Sequence, residues 1–161
     1  DSKLQLRGEF GDPVAGLRMR LDLHLIERAS GLAVADIWVE FQRTDPEPIE
    51  MLHGDPHLLE WSLHRDGAPV KPLFHRMDLL FVDERVTLGG LEVARWRVAR
   101  GGETRRPAPD VDVGTVAWRL PRAGAVQLAC SYTCTSAADE RLWRGRIHCR
   151  AELRRAVTTG L

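Results

Sequence analysis

The side chains with most chemistry to offer are three cysteines, Cys130, Cys134 and Cys149, within "ACSYTCTSAADERLWRGRIHC". Thiols so clustered serve as a covalent staple, as soft metal ligands or as a nucleophile, and the surrounding pattern limits which geometry is reachable. Val126, Leu128, Cys130 and Tyr132 share one parity, and Ile147, Cys149, Ala151 and Leu153 share another, as expected for the dry face of an extended hairpin. A symmetric hairpin turning near residue 139 sets Cys130 opposite Cys149; a slip of the register sets Cys134 there instead, and parity accepts both. Two readings stand: one bridge with one thiol left over, or three buried thiols in a reducing compartment. A bridge closing a loop of roughly 15 to 18 residues adds about 3 kcal/mol. Zinc asks for a further close pair of ligands beside Cys130-x3-Cys134. His148 and Cys149 are adjacent, and neighbours on a strand point to opposite faces, which argues against one ion.

The second candidate set is "HGDPH", with His53, Asp55 and His57, and with His64 and His75 further on. Imidazoles and a carboxylate are competent ligands for zinc or copper. His-x3-His puts both rings on one face only in a helix, however, and Gly54 and Pro56 oppose one, so exposed loop histidines are expected and no metal set is favoured. Nucleophile elbows, phosphate-cradling Gly-rich loops and His-Glu-x-x-His helices are all missing. Asp36, Glu40 and Asp78 can pair across strands, but Asp36 and Glu40, four apart, share a face that should be wet. No catalytic residue and no cofactor is expected.

Period two dominates the elements that must position these groups. Leu17, Met19, Leu21, Leu23 and Leu25 alternate with Arg18, Arg20, Asp22 and His24, the pattern of a strand with one dry face. Ile37, Val39 and Phe41 continue it on one side, with Trp38 and Glu40 on the other. Leu59, Trp61 and Leu63 form a third stripe, followed by Asp66-Gly67, a strong hairpin signal. Further strands are expected in "LLFV" near residue 80, in "RVTLGGLEVARWRV" around a Gly89-Gly90 interruption, and at 115–120, 125–133 and 144–153. "SAADERLW", at 136–143, has a Ser cap and the composition of a single helical turn. Strands at this spacing, separated by Gly, Pro and Asp, indicate an antiparallel β-sandwich. "TDPEPIE" and "TRRPAPDVD" each join two strand-like segments and are expected to be loops within it.

By the same parity Trp61 and Trp118 belong to the core, Trp96 and Trp143 lie at strand margins, and Trp38 faces outward. An outward tryptophan is either covered by an extra strand or loop or serves as an anchor for a partner protein or sugar ring.

At 161 residues the chain is sized for one domain, 1–161, with 1–14 as an N-terminal extension or edge segment. The 43% apolar and 29% charged residues exclude a disordered chain. Basic and acidic side chains balance at 23 each, so the simplest electrostatic signal for binding nucleic acid is absent. Arg97, Arg100, Arg105 and Arg106 read as a solvated face. Lysine occurs only at Lys3 and Lys71 against many arginines, a skew that points to GC-rich bacterial coding. No apolar run reaches the ~20 residues of a membrane helix. The chain begins at Asp1, so a trimmed leader or lipid anchor is compatible with it.

The closing segments "PRAGAVQLACSYT" and "WRGRIHCRAEL", with the earlier "ADIWVEFQRTDPEPIEML", resemble bacterial extracytoplasmic immunoglobulin-like domains, over roughly residues 17–154. In such domains a Pro-x-Gly turn leads into an alternating strand, then a loop, then a final strand opened by Trp-x-Gly. The place of their corner tyrosine holds Val126, with Tyr132 further along, and all three cysteines lie in the last hairpin rather than on opposite sheets. The resemblance implies an immunoglobulin-like sandwich of about 7–9 strands with at most one short helical turn. It also implies a periplasmic or extracellular location, where disulfides persist; a cytoplasmic one stays open. The expected function is a non-catalytic module of an exported bacterial protein that engages an unidentified protein partner through loops or a sheet face. The alternative is a zinc- or copper-binding module built on His53, Asp55 and His57 or on the cysteine hairpin.

Overall fold

The alternating segments form strands wherever a dry stripe has somewhere to go. The computed structural model describes residues 2–29, 31–75, 82–100, 111–135 and 139–153. Among these, thirteen strands and one 3-10 turn are found, and every pairing between strands is antiparallel. Nine strands have five residues or more: β1 (Ser2–Arg7), β2 (Leu17–Arg28), β3 (Gly31–Arg43), β4 (Ile49–His53), β5 (Leu59–Arg65), β8 (Glu84–Leu88), β9 (Val93–Arg100), β12 (Val126–Cys134) and β13 (Gly145–Leu153). The other four are β6 (Ala68–Pro69), β7 (Phe74–His75), β10 (Val111–Asp112) and β11 (Val116–Trp118). The protein is all-β.

Two four-stranded sheets carry the architecture, one ordered β1-β2-β3-β9 and the other β13-β12-β5-β6. Smaller pieces, β10-β11-β7 and β4-β8, complete the fold. The expected stripes meet in one core: Leu17, Met19, Leu21, Leu23, Ile37, Val39 and Phe41 are fully buried, in one cluster with Leu63, Leu128, Tyr132 and Ile147. A β-bulge at Ala35, where His24 pairs with Asp36 but Leu25 with Val34, lets Leu32 and Val34 face the same side as Ile37 despite their opposite parity.

Tight turns are made where the sequence signals them. Asp66 and Gly67 both take positive φ, 49° and 81°, as a two-residue type I′ hairpin requires. Ala15 and Gly16 do the same between Val14 and Leu17. The 3-10 turn found among the described residues, Pro56–Leu58, falls in the segment expected to oppose any helix: proline is tolerated at its first position, and Asp55 caps it. Of "SAADERLW", residues 139–143 are non-helical, and 136–138 lie outside the described residues, as do most of "LLFV" and residues 101–110.

Trp118, Trp96 and Trp143 are buried. Trp61 packs against the core but is only half-buried: β6 and Val70 cover β5 at Leu63, His64 and Arg65, short of Trp61. Tyr132 lies between the sheets, edge-on to Phe41 at 5.0 Å and beside Trp143 at 5.5 Å. Its hydroxyl donates to the Leu52 carbonyl of β4, 2.5 Å away. That bond pins two sheets across 80 residues of sequence.

The seam between β2 and β13 is closed by the segment after β1. Gly8 and Gly11 donate to Leu21 and Met19, extending the pairing along β2. On their other side they lie against the carbonyls of Arg150 and His148 at the free edge of β13. A Cβ on Gly11 would sit 2.0 Å from the His148 oxygen, so only glycine permits this approach. The Trp143 indole fixes the next turn by donating to Val14 O at 3.0 Å.

Candidate interaction face

On the outer face of the sheet β1-β2-β3-β9 the register writes out a charged lattice. One row runs Arg7, Asp22, Trp38, Arg97, and the next Arg20, Glu40, Arg95. Asp22 and Glu40 point away from the core, yet are 0% and 3% exposed, because guanidinium groups close over them. Arg95 spans both, with Nη2 3.0 Å from Asp22 and Nε 3.4 Å from Glu40. Arg7 lies 3.6 Å from Asp22 and 3.5 Å from Glu40, and Arg20 Nε 3.1 Å from Glu40. Gln5 donates to both oxygens of Asp22, at 2.9 and 3.2 Å. Burial alone drives the Asp22 carboxyl upward; the Gln5 hydrogen bond and the charges of Arg7, His24 and Arg95 outweigh it and hold the pKa below the ordinary value.

The outward indole of Trp38 is the platform for this lattice. Arg95 stacks over it at 4.4 Å and Arg97 at 5.7 Å, while Arg97 Nε also donates to Asp36 at 3.2 Å. Phe10 plays the same part at the other end, with Arg18 and Arg20 over its ring at 4.3 and 4.2 Å. The arginines remain open above: Arg7 is 48% exposed, Arg95 42% and Arg97 35%. Trp38 was legible as an outward aromatic. The arginines around it were not, since which of them share its row depends on cross-strand register.

The histidine loop does not gather. His53 stacks on Trp96 at 5.7 Å, with Glu84 3.8 Å from its ring. Asp55 is occupied as the cap of the 3-10 turn, accepting from His57 N and facing His57 Nδ1, both at 2.9 Å. Among the described residues no group of three or more His, Cys, Asp or Glu side chains is placed to hold a metal ion.

The three cysteines are buried free thiols, with no disulfide. Cys130 faces Cys149 and Cys134 faces Gly145, so the slipped register is ruled out. The carbonyls of His148 and Arg150 look outward, and Asp66 N bonds Ala125 O on the opposite side of β12. Cys130 and Cys149 therefore occupy a hydrogen-bonded pair, the wider of the two antiparallel pairings, in which side chains stand further apart. Burial pushes the Cys149 thiol up to about 12, and burial with the neighbouring Cys149 also raises that of Cys130.

A cleft of about 1160 Å³ lies on the other sheet, between the 8–14 segment and the outer faces of β5, β12 and β13. On its floor Ser131 Oγ is 2.6 Å from His148 Nδ1, with His64 nearby in the lining. This hydroxyl–imidazole pair was missed, although the register that sets Cys130 against Cys149 also sets Ser131 against His148. It lies on an exposed strand face as a cross-strand pair. Compared with protein-family models, curated proteins and solved structures, the chain matches none.

Proposed function

We propose that this chain is a non-catalytic binding module of an exported bacterial protein, an immunoglobulin-like sandwich that engages another protein through the outer face of β1-β2-β3-β9. The observation that carries this reading is the layering of that face: Asp22 and Glu40 are buried beneath arginines that remain a third to a half exposed. Arginine and tryptophan dominate interface hot spots, and side chains already held by stacking and ion pairs lose little freedom on binding. The segment from His53, at the end of β4, to His57 is a poorer contact surface, because Asp55 and His57 bond each other and His53 is turned onto Trp96. The immunoglobulin-like assignment and the periplasmic or extracellular location rest on the resemblance of the closing strands, and the facing antiparallel sheets are in keeping with it.

Hydrogen exchange on the complex with the natural partner, recovered from the source cell's envelope, tests the reading. Protection is expected over residues 18–24, 36–42 and 93–97, and Trp38→Ala should weaken the complex. Protection confined to residues 53–57 or to the cleft on the opposite sheet would overturn it.

A further inference from the structure

We infer that the partner segment received by this face is an acidic peptide, its carboxylates bound by Arg7, Arg95 and Arg97; this rests on the binding reading above. Five guanidiniums, of Arg7, Arg18, Arg20, Arg95 and Arg97, share the face with the carboxylates of Asp22, Asp36 and Glu40, together with His24. With His24 neutral, and with Lys3, which shares the face of Gln5 and Arg7 on β1, six positive charges less three negative ones leaves three positive charges.

Depth separates the two signs. Asp22 and Glu40 are buried, and the Asp36 side chain is 23% exposed, whereas Arg7, Arg95 and Arg97 present their outer edges. An approaching chain therefore meets cations first. The carboxylates beneath hold the guanidiniums in place without using all of their donors, since each guanidinium carries five. Trp38 supports both arginines from one side, with the guanidinium carbons of Arg95 and Arg97 4.4 and 5.7 Å from its ring centroid. A planar fork held in one orientation suits a carboxylate, which it binds through two parallel hydrogen bonds. Arg95 and Arg97 stand two residues apart on β9, about 7 Å, the spacing of acidic side chains at alternate positions of an extended segment.

The probe is an oligo-glutamate peptide, titrated into the intact protein at low and at physiological salt, with tryptophan fluorescence or calorimetry as the readout. Binding is expected, weakening several-fold as salt rises to about 0.15 M because the contacts are charge-charge. Arg97→Gln should weaken it about tenfold, a change that leaves Asp22 and Glu40 with their own partners and so spares the fold. Arg95→Lys keeps the charge but loses the fork and the stack, and should weaken it as well. An oligo-lysine peptide should not bind.

Three outcomes would overturn the inference: no oligo-glutamate binding at low salt, binding indifferent to both substitutions, or tighter binding to short duplex DNA or phosphatidylglycerol vesicles. If the natural partner still protects residues 36–42 and 93–97 while the acidic peptide fails, the chemistry proposed for the partner is wrong and the face is right. If the partner protects another surface, the face itself is wrong.

Discussion

Replacing Asp22 with Asn tests whether the buried carboxylates organise the charged face. Asp22 is fully buried, while Arg95 at 3.0 Å and Arg7 at 3.6 Å are 42% and 48% exposed, so the cations left behind keep water. The cost therefore falls short of the ~3–5 kcal/mol of breaking a fully buried pair. Two partly exposed ion pairs contribute up to about 1 kcal/mol each. A neutral amide, cheaper to bury than a carboxylate, offsets part of their loss. The net loss at pH 7 is about 1–2 kcal/mol, or roughly 3–6 °C in Tm for a chain of this size. Because the folded pKa of Asp22 lies below its unfolded value, its stabilisation is present above about pH 4 and is lost as pH falls through the folded pKa. Urea unfolding followed by tryptophan fluorescence should show a gap between wild type and Asp22→Asn at pH 7 that narrows at an acid pH below 4. A gap of equal size at both pH values would refute the electrostatic argument and assign the effect to packing, and no gap at pH 7 would refute the network altogether.

Tyr132→Phe keeps the contacts with Phe41 and Trp143 but leaves the Leu52 carbonyl without its donor; a loss of about 1–2 kcal/mol in urea unfolding is expected. A charged thiol reagent should label the native protein slowly and count three thiols after denaturation, whereas a count of one would mean that Cys130 and Cys149 had bridged. The Cys149 thiol is raised to about 12, so it favours the fold below its unfolded pKa of roughly 8.5 and loses that effect as pH climbs toward 12. Cys149→Ala should accordingly flatten the alkaline limb of the stability curve. Gly11→Ala places a methyl group against the His148 carbonyl and should cost about 1–3 kcal/mol in thermal unfolding, by forcing the 8–11 segment off β13.

Alternation made the strands legible, because a leucine row such as Leu17 to Leu25 has only one way to be dry. It also placed Trp38 outward and Trp118 inward. What alternation cannot carry is the neighbour across the gap. Asp22 reads as a wet-face carboxylate until the register sets Arg7 on one side of it and Trp38 on the other. The bulge at Ala35 inverts parity within one strand and so hid Leu32 and Val34. Trp61 packs on the core as its stripe requires, yet stays half-buried because the neighbouring strand β6 is only two residues long. The two hairpin registers were equal in parity, and the choice between them also decides the Ser131–His148 pair.

The glycine seam has a consequence for when this protein can fold. Its closure joins residues 8–14 to residues 143–150, so loop-closure entropy over most of the chain must be overcome before the last strand is covered. A nascent chain emerging from the ribosome would hold the leucine face of β2 unpartnered until the C-terminal hairpin had been synthesised. Such a chain folds late and slowly, and is exposed to aggregation in the interval.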